Sequence, residues 1–196
     1  YGNEQPDAFR RDLTINALFY DISTFSVIDY VGGVEDLRNG IVRVIGDPAV
    51  RFREDPVRLM RTVRHAARTA FTIEPTTRES LILNRELITQ SAPMRLYEEI
   101  RKDLHSGSSL KILRAFADNH LLEYFLPELL EYKGALLEDG HALAECLAKI
   151  DHKIKNEQAE ISTTVILSVI ALLSGQRDLT LADLGTRFNS HDELED

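Results

Sequence analysis

The run Glu54-Asp55-Pro56-Val57-Arg58-Leu59-Met60-Arg61-Thr62-Val63-Arg64-His65-Ala66-Ala67-Arg68 constrains this chain more than any other, because two stripes of opposite character share one helical period. At about 100° per residue, Arg58, Arg61, Arg64 and Arg68 fall on one side of a helix, while Leu59, Met60, Val63, Ala66, Ala67 and Ala70 fall on the other. Pro56 suits the first helical position, where its missing N–H has no intrahelical partner, and this makes Asp55 the natural N-cap. With only Glu54 and Asp55 beside them in sequence, the four guanidiniums read as under-neutralised. Planar groups with five donors suit phosphate oxygens and base edges. A solvated helix face whose Asp55 merely caps accounts for the same residues, so other segments have to decide.

The charge distribution keeps the first reading open. Residues 1–68 carry ten arginines and no lysine against ten acids, so the net charge of −9 lies entirely in residues 69–196. An acidic balance argues against an undirected nucleic-acid binder but allows a local cationic cleft. With 43% hydrophobic and 28% charged residues over 196 positions, the chain can bury a core of ordinary size. The longest apolar run, Val165 to Leu173, is too short for a bilayer, no signal peptide is evident, and a single cysteine, Cys146, permits no internal disulfide. A cytoplasmic protein with no membrane partner is expected. The opening Tyr-Gly-Asn-Glu-Gln-Pro-Asp reads like the middle of a protein, and we expect a fragment.

Periodicity predicts a short mixed region followed by helices. Residues 13 to 20 fit helix or strand equally. Ser26 to Val31 and Ile41 to Ile45 read as partner strands, joined by Gly32-Gly33 and a turn of helix that stops at Asn39-Gly40. After Pro56 the pattern stays helical. Helices are expected over Arg78 to Ile88 with Thr77 as cap, Met94 to His105, Leu110 to Asn119, and Leu121 to Tyr132 with a break at Pro127. Leu143, Leu147, Ile150 and Ile154 share one face of a further helix, and Ile161 to Ser174, apolar nearly all round, reads as a central buried one ended by Gly175. Cys146 reads as a small core residue.

One more cluster carries chemistry. Arg10-Arg11-Asp12-Leu13-Thr14-Ile15-Asn16-Ala17 offers cations for phosphate, a carboxylate for ribose hydroxyls and an amide able to bridge them, although Asp12 or Thr14 could equally cap a helix. Three further segments follow it in order: Asp29-Tyr30-Val31-Gly32-Gly33-Val34-Glu35-Asp36-Leu37, then Arg43-Val44-Ile45-Gly46-Asp47-Pro48, then Arg51-Phe52-x-Glu54-Asp55-Pro56-x-Arg58-x-x-Arg61. Read whole, the series resembles the bacterial poly(A) polymerases and CCA-adding tRNA nucleotidyltransferases, class II of the nucleotidyltransferase superfamily, over residues 10 to about 70. Met94-Arg95-Leu96-Tyr97-Glu98-Glu99 through Leu126-Pro127-Glu128-Leu129 is similar to the next helical segment of that family.

The resemblance implies a mainly α chain: the end of a mixed α/β nucleotidyltransferase head (1–50), a helical nucleotide-selecting neck and the start of an RNA-binding body (51–132), and a helical body or tail (133–196). It gives Asp55 and Arg58 the role of a protein template for the incoming base, Arg11, Arg61 and Arg64 the phosphates, and Asp12 the ribose, with Asn16 as the bridging amide counted in the same triphosphate and ribose site. Asp29, Gly32, Gly33 and Asp36 fall in a segment that acts as a hinge. The activity implied is addition of AMP from ATP to RNA 3′ ends. Arg95-Leu96-Tyr97-Glu98-Glu99 followed by Gly107-Ser108-Ser109-Leu110 leans toward the polymerase branch. CCA addition to tRNA, with CTP as a further substrate, and a non-catalytic helical RNA-binding or scaffolding module are the alternatives.

The family's Gly-Ser phosphate loop and its magnesium-binding Asp-x-Asp pair, expected ahead of Arg10-Arg11-Asp12, do not occur in residues 1 to 196. We therefore expect no catalytic carboxylates here, and Mg2+ only in the parent enzyme. Glu138-Asp139 reads as a solvated turn. The doublet His191-Asp192, with His141 and His152 upstream, lacks a second His-Asp after the apolar helix, so no metal is assigned.

Overall fold

Parallel pairing of two strands requires a crossover, and the chain supplies one between Ile41 and Ile73. In the computed structural model, which describes residues 4–125 and 140–174, strand β3 (Ile41–Val42) pairs in parallel with β4 (Thr72–Ile73), and helices α3 (Pro48–Glu54) and α4 (Val57–Thr69) lie between them in sequence. Ahead of them come α1 (Glu4–Arg10), a 3-10 turn (Thr14–Asn16), β1 (Leu18–Asp21), β2 (Ser26–Asp29) and α2 (Gly33–Asn39). After them come α5 (Pro75–Asn84), a 3-10 segment (Arg85–Gln90), α6 (Pro93–Leu104), α7 (Ser109–Asp118), α8 (Leu122–Phe125), and helices Ala142–Glu157 and Thr163–Ser174. The described residues form two compact units, one of residues 4–99 and 115–125, the other of 100–114 and 140–174.

Helix α4 sets the core of the first unit. Val57, Leu59, Met60 and Val63 are fully buried, each such side chain stabilising by about 2 kcal/mol. Ala66 and Ala67 are only half-buried and Ala70 is exposed, because the helix stops there with Ala70 in the left-handed region at φ 57°. The helix begins at Val57, with Asp55 Oδ1 accepting from Val57 N at 3.3 Å. One helix earlier, Asp47 accepts from Ala49 N and Val50 N and starts α3, with Pro48 at its first position.

Several elements differ from the sequence reading, each for a local reason. Ser26–Asp29 pairs antiparallel with Leu18–Asp21, not with Ile41–Val42, because a tight turn joins the first two while α2 separates the second pair. Asp21 holds that turn by accepting from the Ser23 and Thr24 hydroxyls and from Ser23 N, which lowers its pKa to about 2. The ambiguous residues 13 to 20 split into a 3-10 turn and a strand. Thr77 does not cap α5: Glu74 accepts from Thr77 N at 2.7 Å, while the buried Thr77 hydroxyl accepts from Val44 N at 3.3 Å. The helix therefore starts at Pro75 and gives way to 3-10 geometry at Arg85.

In the second unit Leu143, Leu147 and Ile150 are buried along one helix face, as expected, and Ile154 is half-buried. Asp151 on the same helix accepts from Ser109 N and Leu110 N, capping the start of α7. Helix Thr163–Ser174 buries Ile166, Ile170 and Leu173 while Val165 is 51% exposed, so it is covered along one face and not all round. Cys146 is half-buried, and burial raises its thiol pKa. His141 caps its helix by accepting from Leu143 N, and His152 lies on the exposed side. The readings for Pro127 to Tyr132, Glu138-Asp139, Gly175 and His191-Asp192 lie outside the described residues.

The expected hinge is clasped by one carboxylate. Asp29 Oδ1 accepts from the backbone N–H groups of Val31, Gly32 and Gly33, and Oδ2 from that of Val34, at 2.9–3.0 Å. Burial alone would raise its pKa, but these four donors lower it overall. The two glycines serve different needs. Gly32 takes φ 83° with open space around it, whereas a Cβ on Gly33 would overlap the Thr14 carbonyl. Asp36, buried in α2, accepts from the Thr14 hydroxyl at 2.7 Å and pairs with Arg43, tying this segment to the 3-10 turn. Gly33→Ala should therefore cost more stability, about 2–4 kcal/mol, than Gly32→Ala at about 1 kcal/mol, measured by denaturant unfolding. Equal costs would show that close approach to Thr14 does not constrain position 33.

Candidate nucleotide site

Asp12 sits where a short ladder aims it at α4. Leu13 bridges Val44 antiparallel, with Thr14 N donating to Arg43 O and Ile45 N donating to Asp12 O, so the Asp12 backbone is fixed by its neighbour strand. Its carboxylate then accepts from Arg58 Nε through Oδ1 at 2.7 Å and from Arg61 Nη1 through Oδ2 at 2.8 Å. Burial pushes the Asp12 pKa up, but the two guanidiniums outweigh it and the net shift is down.

Arg61 continues the chain of charges. Its Nη2 donates to Glu99 Oε1 at 3.1 Å, and Glu99 Oε2 lies 2.6 Å from Arg64 Nη1 while the Glu99 carbonyl accepts from Arg64 Nη2. Burial would lower the Arg61 pKa, yet the bonds to Asp12 and Glu99 raise it overall. Glu99 and Arg64 expose only 5% and 9% of their side chains. The arginine stripe is thus not under-neutralised, as its sequence suggested. Its carboxylates come from Asp12, 46 residues before Arg58, and from Glu99, 35 residues after Arg64. Arg64 points inward onto Glu99, while Arg68 is exposed.

At the head of α4, Arg58 is gripped on its inner side. Besides Asp12 it donates from Nη1 to the Arg51 carbonyl at 3.0 Å and to Glu54 at 3.1 Å, and Nη2 donates to no described residue. Arg51, from α3, donates from Nη2 to the carbonyls of Arg10 and Arg11 and from Nη1 to Glu54. Asp55 turns one oxygen to Val57 N and the other to Arg95 Nη2 at 3.1 Å, with the Arg95 side chain 54% exposed. Arg11 stands 52% exposed, and among the described residues its side chain pairs only with Asp7, one helical turn back. Asn16 reaches His65 of α4, Nδ2 to Nε2, at 3.2 Å.

The first unit therefore brings Asp12 onto Arg58 and Arg61 of α4 and Asn16 onto His65, with Arg64 turned inward onto Glu99 and Asp55 at the helix start. Asp29, Gly32, Gly33 and Asp36 form a separate cluster at the start of α2. Sequence reasoning missed Arg51, His65, Arg95 and Glu99 as members of this network. Arg51, Arg95 and Glu99 stood inside the quoted motifs, but nothing local says which charge each will meet. Among the described residues no group of three or more His, Cys, Asp or Glu could hold a metal ion. No described helix is long and apolar enough to cross a membrane.

Comparison with known proteins gives this geometry a lineage. Residues 3–43 match the family described as "Poly A polymerase head domain", and residues 70–133 match "Probable RNA and SrmB- binding site of polymerase A". Poly(A) polymerase I of Salmonella typhi is 38% identical over 162 residues, covering 80% of this chain and 34% of that protein. A CCA-adding enzyme of Bacillus velezensis is 37% identical over 132 residues, covering 67% of this chain and 33% of that protein. The crystal structure of the Bacillus stearothermophilus CCA-adding enzyme in complex with CTP superposes with a TM-score of 0.65 at 26% identity, over 91% of this chain and 48% of that one. A mixed head segment leading into a helical body is the arrangement of these nucleotidyltransferases. The chain belongs to the family of bacterial poly(A) polymerases and CCA-adding enzymes, and it spans about a third of the length of the curated relatives it matches.

The charge network has a measurable pH signature. The folded pKa of Asp12 lies below the ordinary 3.8, so its stabilising contribution is complete above that value and is lost as pH falls through the lower folded one. Asp12→Asn should cost roughly 1–3 kcal/mol in urea unfolding at neutral pH, with the gap to the parent chain constant down to about pH 5 and closing only below about pH 4. A gap already closing between pH 7 and 5, or no gap at all, would contradict the network.

Proposed function

We propose that this chain supplies base selection and RNA binding to an RNA 3′-terminal nucleotidyltransferase that adds AMP from ATP, a poly(A) polymerase. In this reading residues 1–50 end the head, 51–132 form the neck and the start of the body, and 133–196 continue the body. The observation that carries it is the head of α4. Arg58 is held on its Nε and Nη1 sides by Asp12, the Arg51 carbonyl and Glu54, leaving Nη2 to donate, while Asp55, three residues earlier, gives one carboxylate oxygen to Val57 N and the other to the half-exposed Arg95, which an incoming base has to displace.

The donor and acceptor logic then selects bases. A carboxylate accepts from the exocyclic amino group of adenine or cytosine, and a guanidinium donates to the adjacent ring nitrogen. Guanine and uracil present a carbonyl to the carboxylate and an N–H to the guanidinium, so both contacts become repulsive. Arg11 and Arg61 supply cations on the phosphate side, Asp12 and Asn16 face the ribose, and Arg64 acts through Glu99, which it holds in place beside Arg61. The segment from Asp29 to Asp36 serves as the hinge between head and neck: its interior is clasped, so the motion falls at its ends. The reaction joins an RNA 3′-oxygen to the α-phosphorus of the nucleotide and releases pyrophosphate. CCA addition is the second reading, favoured by the likeness to the CTP-bound Bacillus stearothermophilus enzyme.

Titration of the chain with ATP, CTP, GTP and UTP, followed by NMR, tests the template. ATP should bind weakly, with Kd on the order of 1 mM, and at least about fivefold more tightly than GTP, since one well-placed base contact contributes about 1 kcal/mol or more. Asp55→Ala should erase that preference, and Arg58→Lys should reduce it, because an ammonium lacks the planar fork. Equal ATP and GTP affinity in the parent chain, unchanged by Asp55→Ala, would refute base reading. CTP binding matched to ATP would favour CCA addition.

A further inference from the structure

His65 lies on the outer face of α4, one turn beyond Arg61, and meets Asn16 of the 3-10 turn at 3.2 Å between Nε2 and Nδ2. An amide nitrogen only donates, so this contact is a hydrogen bond only when Nε2 carries a lone pair and the ring proton sits on Nδ1. The Asn16 backbone is fixed, its N–H donating to Leu13 O, and its side chain is exposed with Oδ1 accepting from no described residue. A neutral His65 therefore determines which end of the amide is offered outward: the oxygen. The surroundings favour that state. Arg61, Arg64 and Arg68 flank the half-buried ring from its own helix, and Asp12 opposes them from the segment before the 3-10 turn.

We infer that His65 is a positioning residue for the nucleotide: its neutral imidazole takes one amide N–H of Asn16 and thereby presents Asn16 Oδ1 as an acceptor for a ribose hydroxyl. The inference rests on the reading of Asn16 as a nucleotide contact. Protonation reverses the arrangement. An imidazolium has two donors and no acceptor, so Asn16 must turn over to give Oδ1 to Nε2–H, and its NH2 group then faces the sugar. A ribose hydroxyl loses its acceptor. Burial, followed by the Arg64 and Arg68 charges, depresses the His65 pKa below its ordinary 6.5, which keeps the nucleotide-ready orientation dominant at neutral pH.

Two measurements on the whole chain test this. In the first, the side-chain amide resonances of Asn16 and the ring resonances of His65 are followed from about pH 8 to 5 without ligand. They should titrate together, with a shared midpoint below 6.5. In the second, ATP affinity is measured at about pH 7.5 and 5.5 for the parent chain, His65→Gln and Asn16→Ala. The parent chain should lose more affinity on acidification than His65→Gln, by up to about fivefold, the worth of one hydrogen bond. His65→Gln also reports the pH dependence of ATP itself, and Asn16→Ala should show that same smaller dependence. Asn16 resonances indifferent to His65, or parent and His65→Gln profiles that coincide while ATP still binds, overturn the inference alone. Absence of ATP binding at every pH, with the two side chains still titrating together, overturns the nucleotide reading and the inference with it.

Discussion

A single carboxylate organises the outer face of α4. Asp12 takes Arg58 on one oxygen and Arg61 on the other, and each arginine then reaches a second anion, Glu54 for Arg58 and Glu99 for Arg61. Guanidiniums this close repel one another unless negative charge is interleaved, and an ion pair that is partly buried must satisfy its remaining donors to be stable. Alternating Arg58, Asp12, Arg61, Glu99 and Arg64 meets the first requirement with contacts of 2.6–3.1 Å, and of the Arg58 donors it leaves Nη2 without a described partner. The arrangement fixes the planes of the guanidiniums, and a fixed plane is what base recognition needs from an arginine.

The backbone around Asp12 is fixed just as firmly, and by a different set of forces. The Leu13–Val44 bridge sets its register, Asp36 holds Thr14 and Arg43, and Asp29 clasps the start of α2 with four backbone hydrogen bonds. Gly33 allows that clasp to press against the Thr14 carbonyl. Stability here comes from ion pairs and capped turns more than from a large sheet, since each sheet has only two strands among the described residues. The site is therefore built by polar contacts laid over the apolar anchor of Val57, Leu59, Met60 and Val63.

Much of this was legible in the sequence because it is local. The two stripes of α4, the helix start after Pro56, and the helices at Pro93 and Leu143 follow from spacing and punctuation within a few residues. The strand partners of Ser26–Asp29 and Ile41–Val42 were misread, since an alternating pattern names a strand but not its neighbour. The same limit governs the site. Arg58, Arg61, Asp12 and Asn16 announce themselves in short motifs, whereas Glu99 as the counter-ion of Arg64 and His65 as the partner of Asn16 depend on contacts across 35 and 49 residues. Family resemblance reached the residues with motif-like spacing and passed over His65, which no motif names.

The central claim is that Asp12 holds Arg58 by its inner edge so that the outer edge can pair with a base. Arginine side-chain nitrogen spectra of the chain, recorded with and without saturating ATP, address it directly. The account predicts that Arg58 Nη2 gains a hydrogen-bond coupling to adenine N1 while Nε stays bonded to Asp12. ATP bound with the Arg58 resonances unmoved, or Nε released from Asp12 on binding, would contradict it.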